Sequence, residues 1–159
     1  MTPIESLLQP FAGYLELGMY EDALAELDGL PQELQTHPAA SLARLELFME
    51  TGEWAEGAIW GEFLRGQWPE EHEFHFKAAY CLHELKRTQE AKDILLSAPA
   101  TIRDTALFYY NLACYETQLG HVEAAKQLLK TCFKKEKAFR EEAGDDPDLE
   151  PIRDSLEDL

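Results

Sequence analysis

The sequence repeats with a period of 34 residues. A glycine, or a lysine in its place, recurs at that interval between two stretches with helical spacing of apolar residues: Gly18, Gly52, Lys86 and Gly120. A mostly small residue follows five positions later in each copy: Ala23, Gly57, Ala91 and Ala125. One helix-turn-helix unit of this length cannot bury its own apolar face, so stacked copies must supply the core for one another. The period therefore predicts an all-α solenoid.

The phase of the repeat also predicts the organisation of the chain. Residues 1–143 are expected to hold four repeats, with approximate bounds 4–37, 38–71, 72–105 and 106–139. Residues 144–159 form an acidic segment with a stripe of apolar side chains: Leu149, Ile152, Leu156 and Leu159. Because a solenoid must cover its terminal face, we expect this segment to be a capping helix. Gly144 is expected to end the preceding helix.

Helical spacing and Gly or Pro punctuation predict the paired helices. The expected spans are about 3–17, 20–30, 39–51, 53–67, 71–85, 88–97, 102–119 and from 122 onward. Two points stay open: the first helix either bends or begins at Pro10, and the last helix is either continuous over 122–143 or broken near Lys135. Residues 32–38 can hold a short extra turn. The glycines of the fourth span, 53–67, weaken that helix and predict a close approach of neighbouring backbones.

Charge narrows the classes of partner. Residues 1–70 carry 13 acidic and 2 basic residues, and the whole chain has a net charge of −17. Such a field repels phosphate backbones and anionic lipid, so we expect neither nucleic-acid nor membrane binding, and it attracts basic partners. No apolar run is long enough to span a bilayer and no secretory signal is evident, so a cytoplasmic protein is expected. The three cysteines, Cys81, Cys114 and Cys132, are expected to be reduced and mostly buried.

The residues of these repeats resemble the tetratricopeptide repeat family. The fourth unit carries the family's pattern in order, from Tyr109-Tyr110-Asn111-Leu112-Ala113 through Leu119-Gly120 to Ala125, and the first unit carries Tyr20-Glu21-Asp22-Ala23-Leu24. The second unit has Gly57 where the family usually has alanine, and the third has Lys86 in place of the turn glycine. The resemblance covers about residues 4–139 and implies a right-handed superhelix that binds a ligand in its concave groove.

The resemblance implies that the first helix of each unit lines that groove. The residues expected to bind a ligand there are Leu8, Leu42, Glu46, Met49, Glu73, Phe76, Tyr80, His83, Tyr110, Asn111 and Cys114. Further residues expected to point inward include Ala12, Leu15, Glu16, Ala39, Glu50, Thr117 and Gln118. The family's clamp for acidic chaperone tails is absent, because the matching positions hold Leu8, Ala12, Ala43, Glu73 and Lys77. The expected groove has an apolar floor and acidic edges, which suits a peptide with apolar anchors and basic flanks.

These patterns predict a non-catalytic protein-protein interaction module, monomeric or weakly dimeric, that needs no cofactor. Two alternatives stay open: a client-binding chaperone resembling the small acidic chaperones of type III secretion, and a structural element that assembles through its terminal units. No phosphate-binding glycine loop or nucleophile signature is present, so an enzyme is not expected. His72 and His75 could place two imidazoles toward a metal, but a packing role for His75 is the preferred interpretation.

Overall fold

The structure is a computed structural model that describes residues 2–159. Those residues form α-helices and 3-10 segments, with no β-strand among them. The all-α fold class is therefore confirmed. The α-helices are α1 (Pro3–Glu16), α2 (Tyr20–Asp28), α3 (Pro38–Glu50), α4 (Trp54–Gln67), α5 (His72–Glu84), α6 (Thr88–Ser97), α7 (Ala100–Arg103), α8 (Ala106–Gln118), α9 (Val122–Lys135) and α10 (Phe139–Asp145). The 3-10 segments are Gln32–Leu34, which is the predicted extra turn, and Pro147–Asp158.

The turn within each repeat has one backbone conformation. Gly18 has a φ of +69°, and its counterparts Gly52, Lys86 and Gly120 also have positive φ. In the first turn, the Gly18 N–H donates to the carbonyl of Leu15 at 3.0 Å and the Met19 N–H donates to that of Tyr14 at 2.9 Å. Equivalent bonds close the other turns. In this ending the residue of the turn adopts the left-handed conformation, and the N–H groups of the turn donate to the last carbonyl groups of the first helix. Because glycine adopts that conformation most readily, glycine recurs with the period of the repeat.

Local capping sets where the helices begin. Thr2 and Glu5 form a capping box around the start of α1, and the helix continues through Pro10 to Glu16, so it does not begin at the proline. The expected single helix over 102–119 is wrong, because the chain forms α7 and then restarts. Thr105 causes the restart: its hydroxyl accepts from the Phe108 N–H at 3.2 Å, as an N-cap side chain does.

Residues 1–81 form the first compact unit. Here α1 packs on α2 and α3, and α3 packs on α4. The buried core of α1 to α3 consists of Ile4, Phe11, Ala23, Leu27, Leu30, Ala40, Ala43 and Leu47. Gly61 provides the predicted close approach: a Cβ atom at this position would lie 3.0 Å from the Cα of Ala78. Glycine is required there because any larger side chain would push α4 away from α5.

Residues 82–159 form the second compact unit. α8 packs on α6, on α9 and on the 3-10 segment 147–158. Between α8 and α6, the Glu116 carboxylate accepts from the Lys92 ammonium at 2.6 Å and also contacts the His121 ring at the turn into α9. This buried carboxylate therefore joins α6, α8 and the α8–α9 turn.

The end of the chain decides one open alternative and differs from the expectation in two ways. The helix that begins at Val122 ends at Lys135, where Glu136 is extended, and α10 starts at Phe139, so the broken alternative is confirmed. Gly144 does not end a helix; α10 continues to Asp145, and the chain leaves it at Asp146, whose carboxylate accepts from the Asp148 N–H at 2.9 Å. The segment that follows is a 3-10 helix rather than an α-helix.

Candidate functional site

A cleft lies between α1 and α3 in the first unit. It has a volume of about 340 Å³. Its lining consists of Leu8, Phe11, Ala12, Leu15 and Glu16 from α1 and of Ala39, Leu42, Ala43 and Glu46 from α3. All the residues of these two helices that line it were expected to point inward, apart from Phe11 and Ala43, which also belong to the core beneath the cleft.

The cleft combines an apolar floor with carboxylates. Glu16 is exposed, whereas Glu46 is half-buried. Burial raises the pKa of the Glu46 carboxyl, and the opposing effect of the nearby Lys77 ammonium is smaller. The Lys77 Nζ lies 3.7 Å from Glu46 and 3.2 Å from Glu73, so one cation serves two acids. Glu46 is thus a partly desolvated carboxylate that an additional cation would stabilise.

A second, more polar depression adjoins the cleft at its Leu15 and Glu16 end. It has a volume of about 480 Å³ and is lined by Leu15, Glu16, Leu17, Gly18, Tyr20 and Glu50. Leu17 is 73% exposed and Tyr20 is 36% exposed, which leaves apolar surface beside the two carboxylates. Apolar anchor positions and acidic positions are therefore adjacent on this unit.

The remaining candidates of the first unit lie on α3 and α5. Met49 is half-buried and Glu73 is exposed. Phe76 is buried, whereas Tyr80 is 41% exposed and packs edge-on against Trp54 with a 5.8 Å centroid separation. None of these four lines the α1–α3 cleft.

Three of the four candidates of the second unit contact the chain's own C-terminal segment. The Tyr110 hydroxyl donates to the Asp146 carboxylate at 2.7 Å, and Tyr110 stacks on Phe139 with a 4.9 Å centroid separation. The Nε2 atom of His83 lies 3.0 Å from the Asp148 carboxylate. Asn111 is half-buried on the same helix as Tyr110. In this arrangement, His83 and Tyr110 are covered by the protein itself.

Cys114 belongs to the same contact. Its sulfur lies 3.7 Å from the Asp146 carboxylate, and one ligand atom from each of Cys114, Asp146 and Asp148 lies within 4.8 Å of the others. Burial raises the pKa of the Cys114 thiol, and the two carboxylates raise it further. The thiol is therefore protonated in this arrangement and donates a weak hydrogen bond to Asp146.

Sequence reasoning missed the two aspartates, Asp146 and Asp148. Repulsion between like charges disfavours contact of this acidic segment with the rest of a chain whose net charge is −17. Long-range repulsion is screened in salt, whereas short hydrogen bonds from a phenol, an imidazole and an amide act at contact distance. The informative signal was local: two aspartates around a proline, followed by Leu149 and Ile152.

The two histidines of α5 lie in different environments. His72 is exposed and His75 is buried. The His75 Nε2 lies 2.8 Å from the carbonyl of Pro69, to which it donates, and burial lowers the pKa of this imidazole. A neutral His75 bonded to the loop before α5 has the packing role that the sequence favoured.

Comparisons with known proteins give structural likenesses but no match in sequence. No protein-family model matches the chain, and no curated protein matches it. Among solved structures, the chain is similar to one titled MamA MSR-1 C2, at 15% sequence identity and a TM-score of 0.40, over 80% of this chain and 93% of that chain. In the part of the chain that the structure describes, none of the helices has the length and apolar character to cross a bilayer.

Proposed function

We propose that the protein is a non-catalytic protein-interaction module of the tetratricopeptide type, and that the α1–α3 cleft holds a peptide segment of a partner. The observation that carries the proposal is the cleft itself, in which Leu8, Leu15 and Leu42 face one space and Glu16 and Glu46 flank it. Apolar floors with a few polar groups at the edge are typical of peptide grooves.

The chemistry of the cleft favours a basic, amphipathic segment. A leucine or aromatic anchor would remove the surface of Leu8 and Leu42 from water, at about 25 cal/mol per Å² of apolar area. A lysine or arginine beside that anchor would pair with Glu46, whose carboxylate is partly desolvated and shares Lys77 with Glu73. The 13 acidic residues of 1–70 would also speed the encounter with a basic segment.

A selection experiment tests the proposal. The full chain is immobilised and challenged with a random-peptide library displayed on phage, and the selected peptides are measured by fluorescence anisotropy. We expect enrichment of apolar residues next to Lys or Arg. We also expect the affinity for these peptides to fall at least about tenfold in Leu42→Asp. Binding would then have to remove the new carboxylate from water against the apolar floor, which costs free energy.

A matched control separates the cleft from the rest of the unit. Ile59→Asp places the same side chain on α4, at a position that is 75% exposed, and should leave binding unchanged. The proposal is wrong if the enriched peptides are acidic, or if Leu42→Asp binds them as the unaltered protein does while both variants keep the same helix content.

A further inference from the structure

Two aspartates of the C-terminal segment receive hydrogen bonds from several side chains of the second unit. Asp146 accepts from the Tyr110 hydroxyl at 2.7 Å and from the Cys114 thiol. The Asp148 carboxylate pairs with the His83 ring at 3.0 Å, and its main-chain carbonyl accepts from the Gln118 side-chain amide at 2.8 Å. The carboxylates at positions i and i+2 and the main-chain carbonyl of the second aspartate are thus all bonded.

The contacts of α8 come from one helix stripe. Tyr110, Cys114 and Gln118 are spaced four residues apart, so they lie along the same side of α8. That side is the one that the sequence predicted to bind a ligand. We refer to Tyr110, Cys114 and Gln118, together with His83, as the α8 face.

An apolar part follows the aspartates. Leu149 is fully buried, and Ile152 and Leu156 are nearly so. A segment that served only as a cap would need no more than these contacts. Placing two carboxylates beside a buried phenol and thiol costs desolvation free energy that an apolar cap avoids, so the polar contacts have the character of specific recognition.

The C-terminal segment also has weak hydrogen bonding within its own helix. Residues 147–158 form a 3-10 helix of 12 residues, and Pro147 and Pro151 lack backbone donors. Runs of 3-10 helix longer than about 4 residues are uncommon, because their hydrogen-bond geometry is poor. Contacts with α8, α9 and α10, more than its own helical hydrogen bonds, therefore hold this segment in place.

We propose that the α8 face is a recognition surface for an Asp-x-Asp segment followed by apolar residues, and that residues 145–156 are its internal ligand. A partner segment of the same chemistry must displace residues 145–156 in order to bind. The surface differs from the α1–α3 cleft in its preference, acidic rather than basic, and it does not depend on the function proposed for that cleft.

Binding in trans tests the inference on the full chain. The probe is a fluorescein-labelled synthetic peptide with the sequence of residues 143–159, measured by anisotropy in moderate salt. The double variant Asp146→Asn/Asp148→Asn weakens the internal ligand and leaves the α8 face intact. We expect it to bind the probe at least about tenfold more tightly than the unaltered chain does, since hydrogen bonds to charged groups have been removed only from the competing segment.

The control changes charge equally in the same segment. Asp154→Asn/Asp158→Asn alters two exposed aspartates and should bind the probe no better than the unaltered chain. If the first double variant stays folded and still fails to bind the probe, the segment is a fixed cap and the inference is wrong.

If the double variant does not fold, hydrogen exchange on the unaltered protein tests whether the C-terminal segment can leave the α8 face. A displaceable segment should exchange the amides of 147–158 through an opening of lower free energy than that of α8. Equal protection of both, lost only in global unfolding, would overturn the inference.

Discussion

Lys86 occupies a turn position that glycine holds in the other repeats. Its φ is +63°, in the left-handed region, and the hydrogen bonds around it are those of the glycine turns. An L-residue pays a conformational cost of about 1–2 kcal/mol there, because its Cβ crowds the backbone carbonyl. The repeat therefore imposes its turn even where the residue type disfavours it.

Two substitutions measure that cost. Lys86→Gly should raise the free energy of unfolding by about 0.5–1 kcal/mol, since the relief of strain exceeds the extra entropy of glycine in the unfolded chain. Gly120→Ala should lower it by about 1 kcal/mol through backbone strain alone, because no neighbouring atom lies within 4 Å of the added Cβ. Urea denaturation measures both, and changes of the same sign would contradict the turn assignment.

At the scale of elements, Glu116 links α6, α8 and the turn into α9. Burial raises the pKa of its carboxyl, but hydrogen bonds from Lys92 and His121 outweigh this effect, so the pKa is lowered overall. A lowered pKa in the folded state means that ionised Glu116 stabilises the fold. This contribution is present above the ordinary carboxyl pKa of 4.5 and is lost as the pH falls through the lowered value.

Substitution of Lys92 should reveal how the contribution of Glu116 to stability depends on pH. Lys92→Met should lower the free energy of unfolding by about 1.5–3 kcal/mol near neutral pH, because a buried carboxylate loses a charged donor. The loss should shrink as the pH falls through the lowered pKa of Glu116, because below it the carboxyl is protonated in both proteins. Lys126→Met, which removes a surface pair with Glu123, should cost less than about 0.5 kcal/mol. A pH-independent effect of Lys92→Met in thermal melts would contradict this account.

The helices also show how much of the fold can be predicted from the sequence. Periodicity and turn glycines located the paired helices to within about two residues at most ends, because those signals are local. Pro10 was read as a possible helix start and Thr105 was missed, since a capping box upstream and a side-chain cap decided those boundaries. Helical phase placed Leu8 and Leu42 among the inward side chains, and both line the α1–α3 cleft, but it did not predict that Phe11 and Ala43 line it too. The contact of Asp146 with Tyr110 joins residues 36 positions apart, which no repeat pattern encodes.

At the scale of the molecule, the two compact units offer surfaces of different chemistry. The first unit has a cleft flanked by Glu16 and Glu46, in a region with 13 acidic and 2 basic residues. The second unit has a comparable helix face covered by residues 145–156 of the same chain. We therefore propose that a basic amphipathic segment binds to the first unit and leaves the α8 face unchanged.

Chemical-shift mapping of the backbone amides tests this central proposal most directly. The full chain is titrated with a synthetic amphipathic peptide of leucine and lysine, and with a control peptide in which glycine replaces each leucine. The account predicts that only the leucine peptide produces saturable shifts, and that these lie in residues 8–16 and 39–46. Shifts confined to residues 106–118, or equal shifts with the control peptide, would contradict it.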